Sequence, residues 1–131
     1  MNSNTWQKRD PYPFATSLRR APIITIEEVF HIIGGFAPGS GVQSGVQNAP
    51  VATFDGIVWT SLGLLNSARS SHNVIWLENR IIVVGGQGDL MTESCTIANN
   101  QTTCTDIGPS LKQYRKYPEL FIVDSNFCQN P

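Results

Sequence analysis

Two of the three cysteines stand at a spacing that favours a disulfide. Cys95 and Cys104 flank Asn99-Asn100, a dipeptide typical of a two-residue hairpin turn. With that turn, the cysteines face each other at a non-hydrogen-bonded position, where the Cα atoms approach to ~4.5 Å. This separation is within the range that a disulfide needs. We favour a Cys95–Cys104 disulfide over two buried free thiols.

The same predicted turn carries an N-glycosylation sequon, Asn100-Gln101-Thr102, with Asn100 as the acceptor. Glycosylated asparagines and stable disulfides both belong to oxidising compartments. Together they favour an extracellular or ectodomain location, with the cytoplasm as the alternative. The N-terminal residues contain no apolar segment of a signal peptide, so we expect such a segment in a preceding part of the protein.

The other candidates for metal or nucleotide chemistry do not form a recognisable site. His31 and His72 have no second ligand at metal spacing, and the cysteine pair matches no zinc pattern. The glycine-rich run 39–45 is similar to a dinucleotide-binding loop. However, Pro50 and a predicted strand follow where that loop requires a helix. We expect no metal and no cofactor.

Nucleophilic catalysis has no support in the sequence. The chain contains no Gly-x-Ser-x-Gly motif. Ser70, Ser71 and His72 are neighbours, and a strand would point successive side chains to opposite faces. We therefore expect no enzyme activity.

Composition excludes two further classes of partner. The net charge is −1 and only 15% of residues are charged, so no basic excess attracts nucleic acid or an anionic membrane. No apolar stretch approaches the ~20 residues that span a bilayer. We expect neither nucleic-acid binding nor a membrane span within this chain.

The elements that must position these residues repeat along the chain. Two glycine doublets stand 51 residues apart, and each follows an apolar run typical of a strand. A tryptophan and an arginine precede each doublet, and a third copy begins near Arg115. Repetition at this period predicts a repeat architecture. The shared residues are Trp6, Arg20, Gly34 and Gly35 in the first copy and Trp59, Arg69, Gly85 and Gly86 in the second.

This pattern resembles the kelch repeat, whose unit of roughly fifty residues forms one four-stranded blade of a β-propeller. The resemblance covers roughly residues 4 to 123. It implies that His72 is structural and that Trp59 packs between adjacent sheets. The second copy matches best, through Trp59, Leu62, Arg69, His72 and the run from Arg80 to Gly86.

The resemblance implies an all-β fold, a partial propeller made of four-stranded antiparallel blades. The divisions are the end of a preceding blade at 4–20, blades at 21–62 and 69–108, and the start of a further blade at 115–131. Asp55-Gly56 is expected to form one hairpin turn, and 36–49 a long surface loop. The predicted strands are 4–10, 21–26, 29–34, 50–54, 57–62, 72–77, 80–85, 93–98, 101–107 and 116–123.

Kelch propellers mostly present loops to protein partners, so the resemblance implies a non-catalytic protein-interaction module. The alternatives are a sector of an extracellular galactose-oxidase-like or carbohydrate-active enzyme, and a non-functional truncated copy. Long loops on a rigid scaffold are where recognition residues usually lie. The expected partner contacts are Phe36, Gln43, Gln47, Gln87, Asp89, Gln113 and Tyr114.

Overall fold

A computed structural model provides the structure of the 131-residue chain. It describes residues 8–9, 11–13, 18–37 and 46–122, with the backbone alone for 37 and 46–49. Within these ranges the protein is all-β, with two four-stranded sheets and no helix. Trp6, Gln43, the last nine residues and most of the predicted strand 4–10 lie outside the described residues.

Each sheet is an antiparallel meander in which the strands follow chain order. β-branched and aromatic residues fill these strands, as their preference for a pleated surface leads us to expect. The first sheet contains β1 (Ile23–Ile26), β2 (Val29–Ala37), β3 (Val46–Phe54) and β4 (Trp59–Leu64). The second contains β5 (Asn73–Leu77), β6 (Arg80–Val84), β7 (Thr92–Ala98) and β8 (Gln101–Ile107).

The eight strands of the two predicted blades are confirmed, but the predicted loop at 36–49 is wrong at both ends. β2 continues through the first glycine doublet and pairs Phe36 with Gln47. Between the Ile33–Val51 and Gly35–Asn48 pairs, residues 49 and 50 of β3 lie opposite the single Gly34, so the bulge is in β3. A bulge accommodates one extra residue without ending the ladder. The doublet therefore lies inside the strand, and residues 38–45, between the two strands, lie outside the described ranges.

The connection between β3 and β4 also differs from the prediction. Phe54 pairs with Trp59, so the loop contains four residues, 55–58, and β4 begins at Trp59 rather than at 57. The Asp55 Oδ1 atom accepts hydrogen bonds of 2.8 Å from the backbone N–H groups of both Ile57 and Val58. This side-chain cap stabilises the longer loop.

Three of the remaining hairpins use two-residue turns with positive φ at both positions, at 27–28, 78–79 and 99–100. Positive φ at both residues is the type I′ geometry that matches the twist of paired strands. The turn at 99–100 places Cys95 opposite Cys104 with the Cα atoms 4.1 Å apart, and the two form a disulfide. The predicted register and the predicted disulfide are confirmed.

The strand predicted at 116–123 is absent over the described residues 116–122. Arg115 forms an isolated bridge with Gly86, and the Asn73 side chain donates a 2.8 Å hydrogen bond to the Pro118 carbonyl. In each sheet the first strand forms by pairing with the next strand along the chain. For residues 116–122 the described part of the chain contains no next strand, so this segment has no partner with which to form a ladder.

The hydrophobic core lies between the two sheets. Leu62, one of the residues shared with the kelch pattern, is 4% exposed and belongs to it. Trp59 does not lie between these two sheets: its ring stacks on Phe54 with the centroids 4.8 Å apart and meets Tyr12 edge-on at 5.1 Å. The buried residues of the core are Ile33, Val51, Leu62, Leu65, Val74, Ile81, Val83 and Cys95.

Candidate functional site

Alternate connections of an antiparallel meander emerge at the same end of the sheet, so the two ends of this structure differ. One end carries the longer connections 65–72, 85–91 and 108–114, together with the end of β2. We call it the long-loop rim. The other end, the tight-turn rim, carries the turns at 27–28, 55–58, 78–79 and 99–100.

A repeated pair of backbone hydrogen bonds closes each sheet at the long-loop rim. Arg19 and Phe36 exchange two N–H···O bonds of 2.8 Å each. The equivalent residues 51 positions later, Ser70 and Gln87, exchange bonds of 3.1 and 2.8 Å. The segment that precedes each sheet is therefore fixed against the end of that sheet's second strand.

A second repeated contact joins each unit to the one before it. The Gly35 N–H donates a 2.9 Å hydrogen bond to the Arg69 carbonyl, which precedes the second sheet. The Gly86 N–H donates in the same way to the Arg115 carbonyl. The segment after β8 thus contacts the second sheet in the same way as the segment before β5 contacts the first sheet.

These close contacts explain why the second residue of each doublet is glycine. Gly35 has a φ of 111°, and a Cβ atom there would lie 2.7 Å from the Cβ of Ala21. Gly86 has a φ of 93°, and its Cβ would lie 2.7 Å from the Ser70 carbonyl oxygen. Both the backbone conformation and the space require glycine.

The structure corrects the pairing of the repeated arginines. Arg20, Ser71 and Tyr117 all have positive φ, at 58°, 56° and 52°. The Ser71 N–H donates to the Arg20 carbonyl at 2.9 Å, and the Tyr117 N–H to the Ser71 carbonyl at 2.6 Å. Arg20 is therefore the counterpart of Ser71, and its predicted equivalence to Arg69 is wrong. Leu18 occupies the position of Arg69 in the first unit.

Arg69 is fully buried and holds the loop 85–91 in place. Its Nη2 lies 2.6 Å from Oε1 of Glu93, which is also 0% exposed. Its Nη1 donates to the carbonyls of Met91 at 2.7 Å and Gly85 at 3.3 Å. A buried arginine that is paired and hydrogen-bonded in this way fixes the geometry of the backbone around it.

Glu93 connects this arginine to the neighbouring loop. Its carboxylate accepts hydrogen bonds from the backbone N–H groups of Asn66 at 2.7 Å and Ser67 at 3.3 Å. Glu93 is not among the predicted site residues, although the sequence carries one signal for it. Glu93 shares the core-facing side of β7 with Cys95, and an acidic residue on a buried face indicates a buried partner.

Asp89, a predicted partner contact, also supports the loop. Its Oδ2 lies 3.4 Å from the Arg69 Nη2, and its Oδ1 accepts the N–H groups of Leu90 and Met91 at 2.6 and 3.1 Å. Burial raises the pKa of Asp89, but its hydrogen bonds and the Arg69 charge outweigh that effect and lower the pKa below its ordinary value. Asp89 is therefore ionised and engaged within the protein.

His72 is enclosed beside Arg69, with 4% of its surface exposed. Burial and the Arg69 charge lower the pKa of His72 from 6.5 to about 4, and the nearby Ile33 carbonyl opposes this shift. Neither ring nitrogen of His72 forms a hydrogen bond within the described residues. The ring is neutral at pH 7. The Ser71 hydroxyl is buried as well and has no bond to the ring, so no nucleophile–base pair forms here.

Three of the predicted partner contacts lie close together on the long-loop rim. Gln87 and Gln113 are exposed, and Tyr114 is 55% exposed. The loops that carry them are joined by a 2.8 Å hydrogen bond from the Leu111 N–H to the Leu90 carbonyl. Together they form one surface composed of an aromatic ring and two amides.

Phe36 and Gln47 lie at the first sheet's end of this rim. Phe36 is half-buried, and the Arg20 guanidinium carbon lies 5.9 Å from its ring centroid, at the outer limit of a cation–π contact. The backbone of Gln47 pairs with that of Phe36 in the β2–β3 ladder.

One group of possible metal ligands consists of the two disulfide cysteines and Glu93. Donor atoms of Glu93, Cys95 and Cys104 lie within 4.8 Å of one another. The two sulfur atoms are bonded to each other, so the cluster lacks the thiolates that a metal would require. Asn100 of the sequon is exposed on the tight-turn rim, with its side chain accessible to modification.

Comparison with known protein families finds no family model that matches the chain, and comparison with curated proteins finds no matching sequence. In the part of the chain that the structure describes, no helix has the length and apolar character needed to cross a membrane.

Proposed function

We propose that this chain is a non-catalytic protein-interaction module, a segment of a kelch-type propeller that receives its partner on the long-loop rim. The observation that carries this proposal is the repeated docking contact. Gly35 bonds to Arg69 and Gly86 bonds to Arg115 in the same way. Units that contact only their neighbours through recurring bonds are typical of repeat architectures.

The support for protein binding comes from the rigidity of the rim. The buried Arg69–Glu93 pair fixes the loop 85–91 from below, and the same carboxylate fixes the loop that begins at Leu65. A preorganised surface loses little conformational entropy on association. Tyr114 offers the kind of exposed aromatic side chain that often dominates the binding energy of protein interfaces.

The disulfide and the exposed sequon asparagine support an extracellular or ectodomain setting for this module. This setting does not depend on the partner, and peptide mapping of the protein from its natural source would test it directly. The mapping should recover Cys95 linked to Cys104. Free, alkylatable thiols at both positions would argue for the cytoplasm instead.

Affinity capture with matched variants tests the proposed function. The immobilised chain is compared with a long-loop variant, Gln113→Ala with Tyr114→Ala, and with a control on the tight-turn rim, Ile57→Ala with Arg80→Ala. All four residues are exposed, so both variants should fold normally. A specific partner should be lost with the first variant and retained with the second. Retention by the first and loss by the second would refute the proposed binding face.

A further inference from the structure

A cleft of about 640 Å³ opens between the two sheets at the tight-turn rim, opposite the proposed partner surface. Small-molecule sites commonly measure roughly 300–1,000 Å³ and combine an apolar lining with a few polar groups. The apolar lining comes from both sheets and includes Ile26 and Leu62 from the first and Trp76 and Ile97 from the second. An apolar body of a ligand can therefore be enclosed on two sides.

A buried histidine offers an unsatisfied acceptor to this cleft. His31 lines the cleft and is 6% exposed, and its Nδ1 lies 3.0 Å from the Val29 carbonyl oxygen. A carbonyl only accepts hydrogen bonds, so Nδ1 carries the proton and Nε2 is an acceptor. Burial lowers the pKa of His31 while the Val29 bond opposes this, and the net shift is downwards, so the ring is neutral at pH 7. Within the described ranges Nε2 has no protein partner.

Negative charge stands at the mouth of the cleft. Glu27 and Asp55 both line it, and none of the described lysines or arginines does. Hydrogen bonds from the Val58 and Ile57 N–H groups to the Asp55 carboxylate lower its pKa below the ordinary value, so Asp55 is ionised at neutral pH. These bonds engage Oδ1 alone, which leaves Oδ2 available to a ligand.

We propose that this cleft binds an organic cation, an ammonium or guanidinium group carried on an apolar stem. The acceptors His31, Glu27 and Asp55 call for a ligand that donates hydrogen bonds, and the two carboxylates call for one with positive charge. The stem would contact the apolar lining, and this lining includes Trp76, a residue type whose ring attracts cations. Such a group can belong to a free alkylamine or to a lysine or arginine side chain of another protein.

The test titrates the unglycosylated full chain with 1-aminohexane and with the neutral analogue 1-hexanol, following backbone amide shifts by NMR. The amine should bind saturably, with shifts concentrated at the turns 27–28, 55–58, 78–79 and 99–100. Its affinity should exceed that of hexanol about tenfold, because hexanol lacks the charge. Equal affinities, shifts centred elsewhere, or no saturable binding of the amine would overturn the proposal.

Matched variants test the assignment of the carboxylates. Glu27→Gln and Asp55→Asn should each weaken amine binding about threefold, as expected for exposed charges, and asparagine can retain the Asp55 cap. Glu28→Gln is the control, since Glu28 occupies the same turn and also has a positive φ but does not line the cleft. Equal weakening by the control would overturn the assignment.

A further arm of the experiment distinguishes the sources of the cation. It uses a short peptide with one central lysine and the same peptide with that lysine acetylated. Tighter binding of the unmodified peptide than of 1-aminohexane identifies a protein side chain as the ligand, and the reverse order identifies a small amine. Loss of charge selectivity between the two peptides would contradict recognition of a cation.

Discussion

Glu93→Gln should be among the most damaging single substitutions in this protein. The variant keeps the size of the side chain but removes its charge, which leaves the fully buried Arg69 guanidinium without its principal counterion. It also puts an NH₂ group where the carboxylate accepts three donors, namely Arg69 Nη2 and the N–H groups of Asn66 and Ser67. One amide oxygen cannot satisfy all three.

The magnitude follows from the burial of the pair. Removing one partner of a buried ion pair typically costs about 3–5 kcal/mol, because the remaining charge is buried and uncompensated. Asp89 lies 3.4 Å from the same Arg69 nitrogen and is 21% exposed, so it compensates part of the charge. We therefore expect a loss of about 3 kcal/mol in the free energy of unfolding, near the lower end of that range.

Urea unfolding followed by tryptophan fluorescence and circular dichroism measures this loss, provided that the two transitions coincide. Glu119→Gln is the matched control, since Glu119 is exposed and should change stability by less than about 0.5 kcal/mol. In a double-mutant cycle, Arg69→Met should cost about 2 kcal/mol less in the Glu93→Gln background than in the native protein. A loss below about 1 kcal/mol for Glu93→Gln would refute the buried pair.

Three further predictions address the doublets, the buried histidine and the disulfide. Gly86→Ala should destabilise the protein by about 1–3 kcal/mol more than Gly56→Ala, since both glycines have positive φ but of the two only Gly86 lacks space for a Cβ. Equal losses of unfolding free energy in urea for the two variants would contradict the crowding at Gly86. The folded-state pKa of His72 is lowered from 6.5 to about 4, so the unfolded state binds more protons between these values. Stability should therefore fall by on the order of 3 kcal/mol as the pH drops through that window, and His72→Phe should remove this slope; an unchanged slope would assign it to other groups. Reducing the Cys95–Cys104 disulfide, which spans nine positions, should cost about 2–3 kcal/mol in thermal or urea unfolding, and no change would mean that the bond does not constrain the unfolded chain.

Local patterns in the sequence were sufficient to predict the strands and the hairpin register. The turn at 99–100 fixes every pair in the β7–β8 ladder, because side chains alternate with a period of two and the turn length sets the register. The apolar runs before each doublet likewise indicated β2 and β6 directly. The four-residue loop 55–58 was missed because the capping by Asp55 competes with the tight turn that Asp-Gly favours.

Contacts between the sheets could not be predicted from spacing alone. The equivalence of Arg20 and Arg69 was wrong because it departs from the 51-residue offset of the doublets: Arg20 precedes its doublet by 14 residues and Arg69 by 16, whereas Leu18 and Arg69 keep that offset. The cleft, by contrast, has no signal in the spacing. His31, Asp55 and Trp76 are far apart in the sequence, and only the packing of one sheet on the other brings them to the same space.

Successive units dock through equivalent backbone hydrogen bonds, in which the Gly35 and Gly86 N–H groups donate to the carbonyls of Arg69 and Arg115. Residue-resolved hydrogen exchange of these two amides measures this docking. Both amides should be strongly protected, and the Gly86 amide should be protected to a degree comparable with the core strand β6. Exchange of the Gly86 amide at the rate of an unstructured peptide would show that the segment at Arg115 does not dock on the second sheet.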